Sequence, residues 1–141
     1  MKKVSVIYWS GTGNTEMMAK AVAEGAKDGG NEVKLLSVDQ ASADDVVNAD
    51  AVALGCPSMG AEVLEESEME PFVESLEAVI SGKPVVLFGS YDWGNGEWMK
   101  DWEERMKNYG AKLVEEGLIL QLTPSDEGLE ACKTLGGQLV K

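Results

Sequence analysis

Apolar residues in this chain gather into short runs rather than alternating one by one with polar residues. The runs at positions 4–9, 33–38, 51–55, 85–88 and, interrupted by 115–117, 113–122 have the length of strands buried on both faces. Between them, apolar residues recur at helical spacing over 14–26, weakly over 44–48, and again over 71–80, 97–109 and 125–140. Pro71 is expected to open its helix, Gly110 to follow the last turn of the next, and Ser125 with Asp126 to cap the final one. Strand and helix thus alternate throughout, which calls for right-handed crossovers. The expected fold is α/β, a doubly wound five-stranded parallel sheet with helices on both faces. With no internal repeat, linker or low-complexity segment, a single domain over 1–141 is expected.

Composition narrows the chemistry. At 141 residues and 44% hydrophobic, the chain can bury a core without disulfides or a structural metal. Cys56 and Cys132 lie far apart and match no metal-ligand or redox spacing, so both are read as small buried hydrophobes, in keeping with a reducing cytoplasm. No apolar run is long enough to cross a bilayer, and Met1-Lys2-Lys3 passes directly into a strand pattern. A cytoplasmic location is the expectation. Histidine is absent, which removes the commonest general base and metal ligand and shifts the chemistry toward a bound cofactor. No metal site is expected. A net charge of −13 repels nucleic acid and anionic membranes and favours basic partners, although such charge also serves solubility.

The most informative segment is Ser10-Gly11-Thr12-Gly13-Asn14-Thr15, which follows the first strand and opens the first helix. Backbone N–H groups and hydroxyls converge there on a helix N-terminus, an anion site. It lacks the Gly-Lys-Ser/Thr of a nucleoside-triphosphate loop, and Glu16 stands where a dinucleotide fingerprint needs a third small residue. With no Lys or Arg in the loop, one terminal phosphate is favoured over a triphosphate with magnesium. A mononucleotide is implied.

Residues 6–15, followed by Ala19 and Val22, resemble the signature by which flavodoxins hold the phosphate of FMN. Gly55-Cys56-Pro57-Ser58-Met59-Gly60-Ala61-Glu62 resembles the second flavin loop of that family, and Phe88-Gly89-Ser90-Tyr91-Asp92-Trp93-Gly94 the third. The likeness covers essentially the whole chain and is nearest to the short-chain flavodoxins of anaerobic bacteria, since 113–122 leaves no room for the long-chain insertion. What it implies is a flavodoxin-like sheet in the order 2-1-3-4-5 with FMN at the switch point, the known arrangement of that family.

By the same resemblance, the FMN-binding residues are Ser10, Gly11, Thr12, Gly13, Asn14, Thr15, Ser58, Met59, Gly60, Glu62, Ser90, Tyr91, Asp92, Trp93 and Gly94. Met59 and Trp93 would lie on opposite faces of the isoalloxazine, Glu62 would accept from flavin N3–H, and the Gly60 carbonyl would turn toward N5 on reduction, a turn glycine permits. Trp98 and Trp102, at i and i+4 of a helix, are read as core. Glu62, Glu65, Glu66, Glu68, Glu70 and Asp92 would oppose a second electron by their charge and so lower its potential. Pro57, Ala61 and Asp92 depart from the residues several short members carry.

The function so implied is a low-potential one-electron carrier, not an enzyme, shuttling between basic-surfaced redox proteins in transient contacts and expected to be monomeric. The nearest alternative is an FMN-dependent quinone reductase. A phosphorylated receiver domain shares the architecture but needs acidic residues where Ser10 and Gly55-Cys56 stand.

Overall fold

The computed structural model describes residues 2–11, 13–59, 63–92 and 94–141. Strands β1 (Lys3–Tyr8), β2 (Glu32–Ser37), β3 (Ala51–Gly55), β4 (Pro84–Tyr91), β5 (Lys112–Leu113) and β6 (Leu118–Gln121) alternate with helices α1 (Asn14–Lys27), α2 (Ala43–Val47), α3 (Met69–Ser75), α4 (Glu97–Asn108) and α5 (Asp126–Leu139). All pairings between these strands are parallel, in the order β2-β1-β3-β4, and the fifth position is shared by β5 and β6, both of which pair with β4. The interruption at 115–117 therefore divides the edge strand in two.

Side-chain alternation along the strands builds two cores. Val4, Val6, Ala51, Ala53, Val86 and Phe88 face α1 and α5, whereas Ile7, Val52, Leu54, Val85 and Leu87 face α2, α3 and α4. Because β3 and β4 are covered on both sides, their sequences read as continuous apolar runs. Trp98 and Trp102 are each 1% exposed in the second core, as helical spacing predicts. Cys56 and Cys132 are free and buried, one in each core.

Helices α1 and α5 pack unusually near each other because two glycines permit it. A Cβ at Gly25 would fall 1.9 Å from the Lys133 carbonyl oxygen, and one at Gly136 would fall 2.1 Å from that of Val22. The amphipathic pattern and the signals at Ser125 and Gly110 act as expected: the Ser125 hydroxyl accepts from Gly128 N–H, and Gly110 takes φ +89° just past α4. Pro71 does not open its helix. Met69 and Glu70 precede it in α3, which ends at Ser75 rather than position 80, with turns over the remainder. A proline anywhere in the first turn lacks only an N–H that no intrahelical acceptor would take, so it marks the turn and not its first residue.

Candidate functional site

Parallel strands β1, β3 and β4 end at one edge of the sheet, and the loops that leave them form the site. The first runs from Tyr8 to Asn14. Within it the Ser10 hydroxyl folds back to accept from Gly13 N–H at 3.1 Å and Glu16 N–H at 3.3 Å. Gly13 caps α1 with φ +95°, supplies no side-chain cap, and a Cβ there would meet nothing within 4 Å. Glycine thus adds no side chain of its own at the helix N-terminus, where the peptide dipoles favour an anion. The acid of the first turn, Glu16, is drawn aside by the Tyr8 hydroxyl, which donates to it at 3.2 Å, and by Lys20 at 3.9 Å. Burial, then the Glu16 charge, raises the Tyr8 phenol above its ordinary pKa.

The second loop leaves β3 at Gly55. Cys56 N–H donates to the Phe88 carbonyl at 3.1 Å and the Trp98 indole donates to the Cys56 carbonyl at 3.3 Å, so the loop starts from a fixed point. Met59 and Val63 then exchange two backbone hydrogen bonds, 2.9 and 3.0 Å, as an antiparallel bridge. Its exit is clamped by Glu65, only 7% exposed, whose carboxylate accepts from Glu68 N–H at 2.7 Å, Ser67 N–H at 2.9 Å, Met69 N–H at 3.0 Å and the Ser67 hydroxyl. Burial acts to raise this carboxyl's pKa, but those hydrogen bonds outweigh it and hold it below the ordinary value. Further on, Arg105 grips Glu70 through both terminal guanidinium nitrogens, one at 2.7 Å, and lowers its pKa in turn.

The third loop begins later than the sequence pattern suggests. Strand β4 continues through Gly89 and Ser90 to Tyr91, paired with β6, before the chain turns at Asp92. Gly89 allows this extension beside the second loop, since a Cβ there would fall 2.1 Å from the Cys56 carbonyl oxygen. Ser90 joins all three loops: its hydroxyl lies 2.8 Å from that of Thr15, and its carbonyl accepts from Ser58 N–H at 3.0 Å. The ring of Tyr91 packs at 5.8 Å and 49° against Trp98. The Asp92 carbonyl accepts from the Gln121 side chain at 3.2 Å, and Asp92 needs no left-handed backbone, because Leu122 is the one described non-glycine residue with positive φ. Aspartate therefore stands at this position without conformational strain.

Of the residues singled out in the sequence, Ser10, Gly11, Gly13, Asn14, Thr15, Ser58, Met59, Ser90, Tyr91, Asp92 and Gly94 lie on these three loops or the strand and helix ends that frame them. Thr12, Gly60, Ala61, Glu62 and Trp93 lie outside the described residues. The acidic run divides by role. Glu65 is buried as a clamp and Glu70 is paired with Arg105, while Glu66 and Glu68 are exposed, Glu68 accepting from the Trp9 indole at 3.1 Å. The clamp formed by Glu65 was not read from the sequence. Its signal is a carboxylate four residues ahead of a helix start, easily lost among neighbouring acids.

The flavodoxin family model matches residues 6–136. The chain is 49% identical to the flavodoxin of Clostridium beijerinckii over 136 residues, 96% of this chain and 98% of that one. The chain belongs to the flavodoxin family. It is also 41% identical to the flavodoxin of Megasphaera elsdenii over 138 residues, 98% of each. The solution structure of the two-electron-reduced flavodoxin of that organism superposes with a TM-score of 0.88 at 42% identity, covering 97% of this chain and 98% of that one. As a flavodoxin, the protein binds FMN non-covalently and carries electrons to redox partner proteins; it is not an enzyme.

The residues present fit that cofactor. An uncharged loop whose hydroxyls and amides surround a glycine-capped helix N-terminus suits a phosphate monoester. By contrast, the cleft of about 340 Å³ lined by Tyr8, Trp9 and Ser10 is edged by Glu16, Asp39 and Glu68, and carries the wrong charge for it. No helix of the described residues is long and apolar enough to cross a membrane.

Proposed function

We propose that this flavodoxin is a low-potential, one-electron carrier that works as a cytoplasmic monomer of one domain, meeting basic-surfaced redox proteins transiently. The observation that carries this reading is the convergence of three loops on one sheet edge, tied together through Thr15, Ser90 and Ser58. FMN, when bound, supplies reversible one-electron chemistry. The protein's own residues bind and tune it.

In this reading Ser10, Gly11, Thr12, Gly13, Asn14 and Thr15 hold the phosphate with hydroxyls and amides. Met59 and Trp93 cover the two ring faces, Glu62 accepts from N3–H, and Ser58, Gly60, Ser90, Tyr91, Asp92 and Gly94 complete the surround. The Met59–Val63 bridge and the Glu65 clamp fix the two ends of the second loop, the loop on which the Gly60 carbonyl would turn toward N5. The buried Glu65 charge remains in place at neutral pH and resists added negative charge nearby. A surface of net charge −13 supplies the attraction for cationic partners.

The deciding experiment is purification followed by denaturation. The protein is expected to be yellow and to release FMN rather than FAD. A colourless protein that fails to take up added FMN overturns the reading.

A further inference from the structure

Leu122 holds a conformation that L-residues avoid, with φ +57°, and it is 53% exposed, more than any other large apolar side chain among the described residues. It belongs to neither core. Its N–H is fixed to the Tyr91 carbonyl at 2.8 Å, which places it at the carboxyl edge directly beside the third loop, and neighbouring Gln121 holds the Asp92 carbonyl. Glycine or asparagine would suit this backbone better than leucine, so a leucine here weakens the fold and repays nothing inside it. Backbone strain of this kind at a site edge points to a use outside the fold.

The surroundings say what that use is. Asp92 is exposed on the neighbouring loop, Asp126 and Glu127 are exposed four and five residues past Leu122, and no Lys or Arg occurs over 84–99 or 113–132; the lysines facing Asp126, Lys20 and Lys133, lie on its far side in the groove between α1 and α5. An apolar tip in an acidic rim is the arrangement of a docking centre, where a buried apolar contact gives affinity and the charged rim guides approach. We propose that Leu122 is the apolar anchor of the electron-transfer docking surface, and that its partner is a redox protein presenting an apolar residue ringed by lysines or arginines. A second copy of this chain is disfavoured as occupant, because both would bring the same acidic rim. The inference rests on the carrier reading above.

The test uses the FMN-loaded protein, reduced beforehand with dithionite and freed of excess reductant, with oxidised cytochrome c, a basic haem protein, as probe. Leu122→Asn keeps a residue that tolerates the left-handed backbone, and Leu122→Gly removes the side chain altogether. Both are expected to retain FMN and to melt no lower than the parent. At high salt, where charges are screened, reduction of cytochrome c should slow about three- to tenfold, and calorimetric binding of the oxidised pair should weaken by a similar factor. The slope of rate against salt should stay unchanged. Parental rates and affinity at high salt in both variants overturn the proposal, as does a lower melting temperature in both, which would mean that Leu122 packs internally. A dimer that either variant converts to monomer also overturns it in favour of self-association. Failure of the parent protein to hold FMN, or to reduce cytochrome c at any salt, would instead fell the carrier reading itself.

Discussion

The hydroxyls of Thr15 and Ser90, 75 residues apart in sequence, meet at 2.8 Å beneath the site and are almost wholly buried. One links the phosphate-loop helix to the other on the strand that carries the third loop. Removing the Thr15 hydroxyl leaves the Ser90 hydroxyl and N–H without that partner, and removing the Ser90 hydroxyl leaves Thr15 only the longer contact from Ser90 N–H at 3.4 Å. Thr15→Val and Ser90→Ala should each cost about 1–3 kcal/mol in urea unfolding, and the double variant should cost clearly less than their sum. Additive losses would show that the two hydroxyls act separately.

Acid should expose the Glu65 clamp. The carboxyls of Glu65, Glu70 and Asp45 all have folded pKa values below their ordinary ones, from burial outweighed by hydrogen bonds at Glu65, from Arg105 at Glu70, and chiefly from the Ser42 N–H at Asp45. Groups depressed in this way contribute stability that is complete above the unfolded pKa and is lost as pH falls through the folded one. The loss should therefore begin near the ordinary glutamate value of 4.5 and grow at lower pH. Glu65→Gln should be less stable at pH 7 and should lose less on acidification than the parent. Parallel curves for the two would remove Glu65 from the account.

Contact between α1 and α5 should tolerate no added carbon. Gly25→Ala gains roughly 1 kcal/mol of helix propensity, yet its methyl would press into the Lys133 carbonyl. A net destabilisation of about 1–3 kcal/mol is expected from thermal or urea melts. A more stable variant would mean that the two helices part easily.

Thiol chemistry offers a fourth check. Burial pushes both Cys56 and Cys132 up to about 12. Neither should react with a disulfide reagent at pH 8 faster than the protein opens, so labelling should accelerate in urea in step with unfolding. Rapid labelling of the native protein would contradict the packing at one of them.

Much of the architecture was legible because β3 and β4, covered on both faces, leave unbroken apolar runs that no other element imitates. The end of β4 was not, since Gly89 and Ser90 look like loop residues; they stay extended because the absent Cβ at Gly89 admits the Cys56 carbonyl and the Ser90 hydroxyl finds Thr15. Pro71 marked the first turn of α3 but not its first residue, because its missing N–H is harmless at several positions there. In the site, the phosphate loop announced itself by local chemistry. Glu65 did not, because its function depends on being buried, and burial belongs to the fold rather than to the run of acids around it.

The division of the edge strand into β5 and β6 has a consequence for aggregation. A long exposed strand edge is an open template on which another chain can add a strand. Here the edge offers two residues, then a break, then four, and at the break Gly117 N–H is already taken by the Glu103 carboxylate at 2.7 Å. At the opposite margin, β2 sets Glu32 and Lys34 along its outer rim. Neither side of the sheet presents an uninterrupted, uncharged ladder on which another chain could add a strand.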